Sequence, residues 1–242
     1  MIKKDSIFKV SNFNDLAFTF NEEVTEVFED MINRSVPGYT SSLRLIENLS
    51  RKYFLEGTCC YDLGCSLGAS TKSLIKAIEK REGKIFAIDN SPAMLAECEK
   101  KYSDQIKTGR VKFIKQDVNE AQIDKASVVI INFVLQFLNP KERDGLLKNV
   151  FLGMKQGALL ILSEKIHFDN KFRNQTVDNL HHQFKSNNGY SKMEISRKRD
   201  ALEGVLMTDL ETLHWQRLES TGFKKIRKIM TNLNFMTLVA EK

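Results

Sequence analysis

Short apolar runs alternate along the chain with longer stretches whose apolar residues recur at helical spacing. The runs at 84–88 and 127–131 are mostly apolar, which is typical of strands buried on both faces of a sheet. Each run is followed by a polar residue, Asp89 or Asn132. The alternation predicts an α/β fold, a doubly wound and mostly parallel sheet of seven strands. We expect the first strand to end at 63 and the others to occupy 84–88, 111–114, 127–131, 158–162, a segment around 226, and 234–240.

Two segments lie outside this alternation. Residues 1–50 carry apolar side chains at helical spacing and are predicted to form a helical lid over a ligand site, with Tyr39 as the lid's candidate contact. An insertion at 165–207 follows the fifth strand, and Ser191 and Glu194 within it have the spacing of a capping box that opens a helix. The 12 glycines and 3 prolines are too sparse for a long linker, so we expect a single domain.

The loop at 64–68, between the first strand and the helix after it, carries the clearest chemistry. Gly64 and Gly68 let the backbone approach a ligand closely where strand gives way to helix, and the N–H groups of a helix N-terminus favour anionic groups. Asp89, about 20 residues further on, is placed to accept hydrogen bonds from both hydroxyls of a ribose. These features predict a site for a nucleotide or an adenosyl group.

The same loop also has the pattern G-x-S-x-G, which is the nucleophile elbow of α/β-hydrolases with Ser66 as nucleophile. An elbow normally follows several strands and an oxyanion loop, whereas only helix-like sequence precedes this loop. A hydrolase also provides no reason for Asp89 at the end of the next strand. We therefore favour the adenosyl site.

The acid before the loop narrows the choice of ligand. The dinucleotide pattern G-x-G-x-x-G is not met, because Ser66 takes the middle position and Gly68 follows two residues later. The spacing Asp62-x-Gly64-x-Ser66-x-Gly68 looks like the first motif of class I S-adenosylmethionine enzymes, in which the acid helps to orient the amino-acid end of the ligand. We expect Ser66 to have a negative φ, to offer its N–H to the ligand and to add a hydroxyl.

Polar residues close two further strands at the edge where ligands bind in such folds. Asp117 is placed to accept a hydrogen bond from an adenine amino group, with the backbone N–H of Val118 beside it. The competing interpretation is that Asp117 is a helix N-cap or turn residue. Asn132 allows the same two interpretations.

The formal net charge of +6, from 37 basic and 31 acidic residues, raises the question of nucleic-acid binding. Basic residues cluster at 197–199 and 224–228. The excess is modest, however, and no interleaving of aromatic and basic residues stands out, so solvated faces are the favoured interpretation. RNA binding is not indicated by this pattern.

Candidate metal ligands and nucleophiles are few. The adjacent His181 and His182 have no nearby metal partner or triad acid in the sequence, which favours a structural role. No run resembles a signal peptide or approaches the length of a membrane span, so a cytoplasmic protein without a metal is expected. Inert thiols are expected at the four cysteines, Cys59, Cys60, Cys65 and Cys98.

Over nearly its whole length the chain resembles one family, the carboxy-S-adenosylmethionine synthases, which serve the pathway to uridine 5-oxyacetic acid at the tRNA wobble position. The most specific part of the resemblance is the run from 188 to 203 within the insertion, which ordinary methyltransferases lack. The other segments that carry it are 34–39, 61–68, 87–94 and 135–138.

The resemblance implies an enzyme that converts S-adenosylmethionine and prephenate to carboxy-S-adenosylmethionine and phenylpyruvate. It further implies a homodimer in which Arg199 reaches the added carboxylate from the neighbouring subunit, and a product used by a downstream tRNA carboxymethyltransferase. No direct tRNA requirement, no general base and no catalytic side chain are implied. Ligand binding is assigned by the resemblance to Tyr39, Gly64, Cys65, Ser66, Asp89, Asn90, Asp117, Val118, Asn132 and Arg199.

Two other functions remain open from the residues alone. Composition and periodicity fit equally well an S-adenosylmethionine-dependent methyltransferase acting on a small molecule or tRNA. A non-catalytic adenosyl-binding module that works through a protein partner is the third possibility. Arg199 distinguishes the synthase from the methyltransferase in principle, because a methyl donor needs no cation near its methyl group.

Overall fold

The chain forms eight strands and nine α-helices within residues 3–9 and 18–242, which the computed structural model describes. The strands are β1 (Thr58–Leu63), β2 (Gly83–Asp89), β3 (Val111–Lys115), β4 (Ala126–Asn132), β5 (Met154–His167), β6 (Asp209–Leu210), β7 (Lys224–Asn232) and β8 (Phe235–Glu241). The helices are α1 (Glu22–Ser35), α2 (Tyr39–Tyr53), α3 (Ala69–Ala77), α4 (Pro92–Lys101), α5 (Ser103–Lys107), α6 (Arg143–Gly153), α7 (Lys171–Asn187), α8 (Lys192–Leu202) and α9 (Glu211–Thr221). None of these helices is both long and apolar enough to cross a membrane.

Seven of the strands form one sheet in the order β3-β2-β1-β4-β5-β8-β7. The first five are parallel, and β8 runs antiparallel to both β5 and β7. The prediction of a doubly wound, mostly parallel sheet is thereby confirmed. Strand β6 was not predicted; its two residues pair with the end of β5.

The register of β1 explains how distant residues reach one place. Leu63 lies opposite Ile88 of β2 and Ile131 of β4. The residues that follow these three positions are Gly64, Asp89 and Asn132, and they therefore emerge side by side. The strand order reverses between β1 and β4, which is where ligands bind in open α/β sheets.

The core consists of two apolar layers, one on each face of the sheet. Every residue of β4 except Asn132 is buried. Because successive side chains of a strand point to opposite faces, Val129 packs into one layer while Ile130 packs into the other. Truncating such a residue to alanine costs about 2–5 kcal/mol of folding free energy.

Residues 1–2 and 10–17 of the predicted lid at 1–50 lie outside the described residues, and the remainder contains α1 and most of α2. Helix α1 borders the cavity described below. Helix α2 also borders the cavity, through residues that include Tyr39 and Leu43, and it packs Ile46 into the apolar layer with strands of the sheet. Helical spacing shows that a helix has an apolar face but not which surface that face covers.

The insertion begins later than predicted. Strand β5 continues to His167, because Lys165 pairs with Phe235 of β8 and Ile166 pairs with Asp209 of β6. The predicted start at 165 is therefore wrong, and the insertion comprises 168–208 with helices α7 and α8. Its capping box is as predicted: the N–H of Ser191 donates to Glu194 at 2.8 Å and the Glu194 N–H donates back to the Ser191 hydroxyl at 3.2 Å.

Buried polar contacts attach the insertion to the N-terminal part of the chain. The Arg34 Nε of α1 donates to the carbonyl of Asn188 at 2.7 Å. The Lys198 ammonium of α8 donates to the Ser35 hydroxyl at 2.9 Å, and Tyr190 donates to Asp5. Helices α1, α7 and α8 therefore stand together over the end of the sheet.

Candidate active site

A cavity of about 1660 Å³ opens at the carboxyl ends of the parallel strands, with α1 and the insertion as its outer walls. A volume of this size exceeds what one drug-sized ligand requires. The ten residues predicted to bind ligand all line it, namely Tyr39, Gly64, Cys65, Ser66, Asp89, Asn90, Asp117, Val118, Asn132 and Arg199.

The loop after β1 depends on its two glycines. Gly64 has φ +73°, and a Cβ there would lie 2.5 Å from Cγ2 of Val134. Gly68 has φ +72°, and a Cβ there would lie 2.7 Å from a ring carbon of Tyr102. The Tyr102 hydroxyl also donates to the Gly68 carbonyl at 2.7 Å. The loop is thus held so close to its neighbours that neither position accommodates a side chain.

Ser66 differs from expectation. Its φ is +48°, and its N–H donates to Oδ2 of Asp89 at 2.8 Å, so the predicted negative φ and the predicted N–H donation to ligand are both wrong. The Asp89 carboxylate fixes this peptide unit in the left-handed region, which a non-glycine residue adopts only when its surroundings compensate. The Ser66 hydroxyl contacts Sδ of Met94 at 3.5 Å, with no histidine base beside it as a hydrolase would need.

Asp89 lies at the end of β2 and is held by backbone on both oxygens. Besides the Ser66 N–H on Oδ2, the Ser91 N–H donates to Oδ1 at 2.9 Å. Burial raises the pKa of Asp89, and the backbone N–H groups oppose that shift. Each carboxylate oxygen accepts two hydrogen bonds, so the carboxylate is fixed in place and keeps one acceptor site on each oxygen for a ligand's hydroxyls.

Asp62, which was expected to help to orient the ligand, does not line the cavity itself. It is 1% exposed, and its Oδ2 accepts a hydrogen bond from the Thr71 hydroxyl at 2.6 Å. Burial raises the pKa of Asp62 to about 7. Its role is to fasten the first turn of α3 to β1 beneath the loop.

Asp117 caps a turn and Asn132 hydrogen-bonds to the first turn of α3, while both residues line the cavity. Oδ1 of Asp117 caps the turn at 118–120 by accepting from the Asn119 N–H at 2.8 Å, while the residue lines the cavity beside Val118. Nδ2 of Asn132 donates to the Ser70 hydroxyl at 3.2 Å. Its Oδ1 is buried without a partner among the described residues, and a ligand N–H would satisfy it.

An aromatic wall borders the cavity beyond the loop. The Tyr39 ring lies 6.5 Å from Phe133, whose ring lies 5.9 Å from Phe235. The Tyr39 hydroxyl makes no hydrogen bond with a described residue, and burial raises the pKa of Tyr39 above its ordinary value. The wall is apolar and suits a planar or ring-shaped group.

His181 has a structural contact and also borders the cavity. It hydrogen-bonds through Nε2 to the Ser35 carbonyl at 2.8 Å and packs edge-on against Phe235 with ring centroids 5.1 Å apart. Burial, followed by the nearby charges of Lys185 and Lys165, lowers the pKa of His181 to about 3. The ring is therefore neutral at physiological pH.

Cys65 is the cysteine that lines the cavity. Hydrogen bonding with Cys98 and burial raise the pKa of the Cys65 thiol, so it is not a thiolate nucleophile. Among the residues described, no cysteine forms a disulfide, and no group of three or more His, Cys, Asp or Glu side chains is placed to hold a metal ion.

Arg199 lies at the mouth of the cavity, with 64% of its side chain exposed. Its guanidinium pairs with the neighbouring Asp200 at 3.0 Å. Within its own chain it therefore reaches no deeper than the rim.

Sequence reasoning missed Lys165 and the polar face of α7. Lys165 ends the part of β5 that pairs with β8, two residues beyond Ser163, which lies opposite Asn132, but the prediction places it in the insertion. Four residues of α7 that line the cavity follow the spacing i, i+3, i+4, i+7, which a search for polar periodicity would have found. They are Asp178, His181, His182 and Lys185.

Comparisons with known proteins agree with this geometry. A family model described as methyltransferase domain matches residues 61–157. The carboxy-S-adenosyl-L-methionine synthase of Erwinia tasmaniensis is 43% identical, covering 100% of this chain and 98% of that protein. The protein of the same name from Escherichia coli K12 is 42% identical, with the same coverage of both chains.

Solved structures show the same fold at low identity. Human N-acetylserotonin methyltransferase in complex with S-adenosylmethionine superposes with a TM-score of 0.60 at 16% identity, covering 91% of this chain and 55% of that one. A putative S-adenosylmethionine-dependent methyltransferase from Methanococcus maripaludis has a TM-score of 0.60 at 16% identity, covering 94% and 96%. With the full-length relatives, these likenesses establish that the chain belongs to the carboxy-S-adenosyl-L-methionine synthases, enzymes built on the class I methyltransferase fold.

Proposed function

We propose that this enzyme converts S-adenosylmethionine and prephenate to carboxy-S-adenosylmethionine and phenylpyruvate. The observation that carries the proposal is the end-to-end similarity to proteins named carboxy-S-adenosyl-L-methionine synthase. The cavity supports it, because it extends from the loop at 64–68 to the aromatic wall and α7 and so has room for a second substrate.

S-adenosylmethionine would lie against the ends of β1, β2 and β4. The free acceptor sites of Asp89 would take the two ribose hydroxyls, and Asp117 with the Val118 N–H would take the adenine edge. The unpartnered Oδ1 of Asn132 would accept from the ligand's amino group, close to the N-terminus of α3, which favours its carboxylate. The buried acceptor and the two glycine positions of the loop both fit such a ligand.

The reaction needs both substrates close together and shielded from water. In prephenate the bond from ring carbon to carboxylate and the bond from ring carbon to hydroxyl break, which yields the aromatic ring of phenylpyruvate, carbon dioxide and hydroxide. The hydroxide removes a proton from the sulfonium methyl group to form water, and the resulting carbanion attacks carbon dioxide. Such positioning can lower a barrier by about 7–11 kcal/mol, and this scheme requires no protein base.

We further propose that the enzyme acts as a homodimer in the cytoplasm, with Arg199 holding the new carboxylate across the subunit interface. Large apolar side chains are exposed on the insertion, with Phe172 79%, Leu180 44% and Met193 59% accessible, and a second copy would cover them. The product would serve a tRNA carboxymethyltransferase that completes the wobble uridine modification.

The test is turnover by purified protein with both substrates and without RNA, followed by mass spectrometry. The expected product is heavier than S-adenosylmethionine by one carbon dioxide, with phenylpyruvate formed in equal amount. Protein purified from cells should carry the same heavier compound. Absence of the product in the presence of both substrates would refute the proposal.

A methyltransferase is the second candidate, since the matching family model and the superposed structures are methyltransferases. It predicts S-adenosylhomocysteine as product when a methyl acceptor or tRNA is supplied. A requirement for tRNA, or formation of S-adenosylhomocysteine without the heavier product, would favour this candidate.

A further inference from the structure

Two ammonium groups line the far side of the cavity without an ion-pair partner. Lys165 of β5 and Lys185 of α7 have no carboxylate of the described residues within 4.0 Å and donate no side-chain hydrogen bond. Both side chains are only partly exposed. Partly buried cations of this kind are unfavourable unless something compensates for their charge.

The charge of Lys165 acts on Lys185. Burial lowers the pKa of Lys185 to about 8, and the charge of Lys165 is the next cause. Burial also lowers the pKa of Lys165. Like charges within interaction distance raise the free energy of the empty site, and an anion between them would lower it.

The other titratable groups nearby do not neutralise this pair. Asp178 is the acid that acts on both lysines, and it lies beyond salt-bridge distance of either. Arg199 adds positive charge, and His181 is neutral. Lys198 also lines the cavity, but its ammonium group donates a hydrogen bond to the Ser35 hydroxyl and lies 4.0 Å from a carboxylate oxygen of Asp5. The net charge of the side chains at this end of the cavity is therefore positive.

An apolar ring surface adjoins the same charges. Lys165 lies directly across the strand pair from Phe235, and its Nζ is 5.9 Å from the centroid of that ring. Phe133 extends the surface toward Tyr39. The ligand that fits is one with an anionic group beside a six-membered carbon ring.

We propose that Lys165 and Lys185 form the subsite for the 2-oxo acid carboxylate of the second substrate, with the ring of that substrate against Phe235. This inference rests on the proposed function, in which prephenate is the second substrate. Prephenate carries two carboxylates, and the one that leaves as carbon dioxide loses its charge during the reaction. A cation bound to it would stabilise the reactant more than the transition state, whereas the 2-oxo acid carboxylate keeps its charge and can be held throughout.

The variants Lys165→Met and Lys185→Met test the subsite, with Lys148→Met as control. Lys148 is exposed on α6 and does not line the cavity. Each subsite variant should raise KM for prephenate by about tenfold or more, because a charge-assisted contact is lost. The affinity for S-adenosylmethionine, measured by calorimetry, should be unchanged. Lys185→Arg should recover most of the lost affinity, which a purely structural role of the side chain would not explain.

Phenylpyruvate provides a probe that needs no turnover, because it retains the 2-oxo acid. It should bind wild-type protein and bind each methionine variant about tenfold more weakly. An anion beside Lys185 should also raise the pKa of that ammonium, so binding at pH 8 should take up protons. Calorimetry in two buffers of different ionisation enthalpy measures this uptake, which Lys185→Met should abolish.

The outcomes separate the two claims. If wild-type protein turns over prephenate but both methionine variants keep its KM and bind phenylpyruvate normally, the subsite is refuted and the proposed function stands. If wild-type protein does not turn over prephenate yet binds phenylpyruvate through the lysines, the function is refuted and an oxo acid subsite stands. Absence of both activities refutes both.

Discussion

The two halves of the cavity are built on different principles. In the half formed by β1, β2 and the loop at 64–68, the functional groups are already held by the protein. Both oxygens of Asp89 accept backbone N–H groups, and the loop lies so close to Val134 that Gly64 has no room for a methyl group. In the half formed by α7 and the end of β5, two ammonium groups have no ion-pair partner within the part of the chain that the structure describes.

The two halves therefore differ in how favourable each is in the absence of ligand. The adenosyl half is preorganised, so ligand binding there loses little to rearrangement. The other half retains uncompensated positive charge, which favours an anionic ligand and discriminates against a neutral one. Variants of the first half should affect every ligand that contains the adenosyl group, while variants of the second half should discriminate among ligands.

The largest expected effect concerns Arg199. Arg199→Ala should weaken binding of carboxy-S-adenosylmethionine by about 2–5 kcal/mol, because the carboxylate loses its charged partner, and S-adenosylmethionine should lose much less. Calorimetry with the two ligands measures this selectivity. Equal loss for both ligands would contradict a carboxylate role for Arg199.

The same variant tests the dimer. Mixing Arg199→Ala with Asp89→Ala should form hybrid dimers in which one site has both native residues if the arginine acts across the interface. Activity should then partly return. Verified hybrid dimers that remain inactive would indicate that Arg199 acts within its own chain.

The pH dependence of stability tests the foundation of the adenosyl half. Burial raises the pKa of Asp62 to about 7, above the value of about 4 in an unfolded chain. The stability that protonation of Asp62 contributes is therefore fully present below about pH 4 and is lost as the pH rises through about 7. A shift of about three units corresponds to at most about 4 kcal/mol. In urea unfolding, wild type should lose free energy of unfolding between pH 5 and pH 8 relative to Asp62→Asn. Asp104→Asn, on the surface of α5, is the control and should follow wild type.

Gly64→Ala tests the close approach of the loop. The substitution combines a positive φ with a Cβ at 2.5 Å from Val134, for which we expect a loss of about 3 kcal/mol in unfolding free energy. Gly109 has φ +69° and nothing within 4 Å of its Cβ position, so Gly109→Ala isolates the backbone term of about 1–2 kcal/mol. The same clash should displace the loop and weaken binding of S-adenosylmethionine, and adding Val134→Ala to Gly64→Ala should recover that affinity. Equal losses of unfolding free energy in Gly64→Ala and Gly109→Ala would contradict the steric argument.

A further prediction concerns the ribose contact. Asp89→Ala should reduce affinity for S-adenosylmethionine by tenfold or more, since each charge-assisted hydrogen bond contributes about 1.5–3 kcal/mol. Asp89→Asn retains one oxygen acceptor and should lose less. Carboxy-S-adenosylmethionine should be affected to the same degree. Unchanged affinity of Asp89→Ala would remove this residue from the site.

The alternation of apolar runs determined the fold class, because a strand buried on both faces must consist of apolar residues. The same rule located Asp89, Asp117 and Asn132, since side chains that follow parallel strands meet at one edge of the sheet. Glycine spacing located the loop at 64–68, because close backbone approach excludes side chains. All of these are local properties, and the sequence displays them directly.

Tertiary structure alone decided the rest. The φ of Ser66 depends on a hydrogen bond to a residue 23 positions away, and Asp62 faces the first turn of α3 instead of the cavity. Helix α2 both packs Ile46 onto the sheet and borders the cavity through Tyr39, a division that its helical spacing did not show. Lys165 and Lys185 line the same cavity only because β5 extends further than its apolar run and α7 turns its polar face inward. Each outcome depends on which surfaces meet, and the free energy of those contacts arises between segments that are distant in the chain.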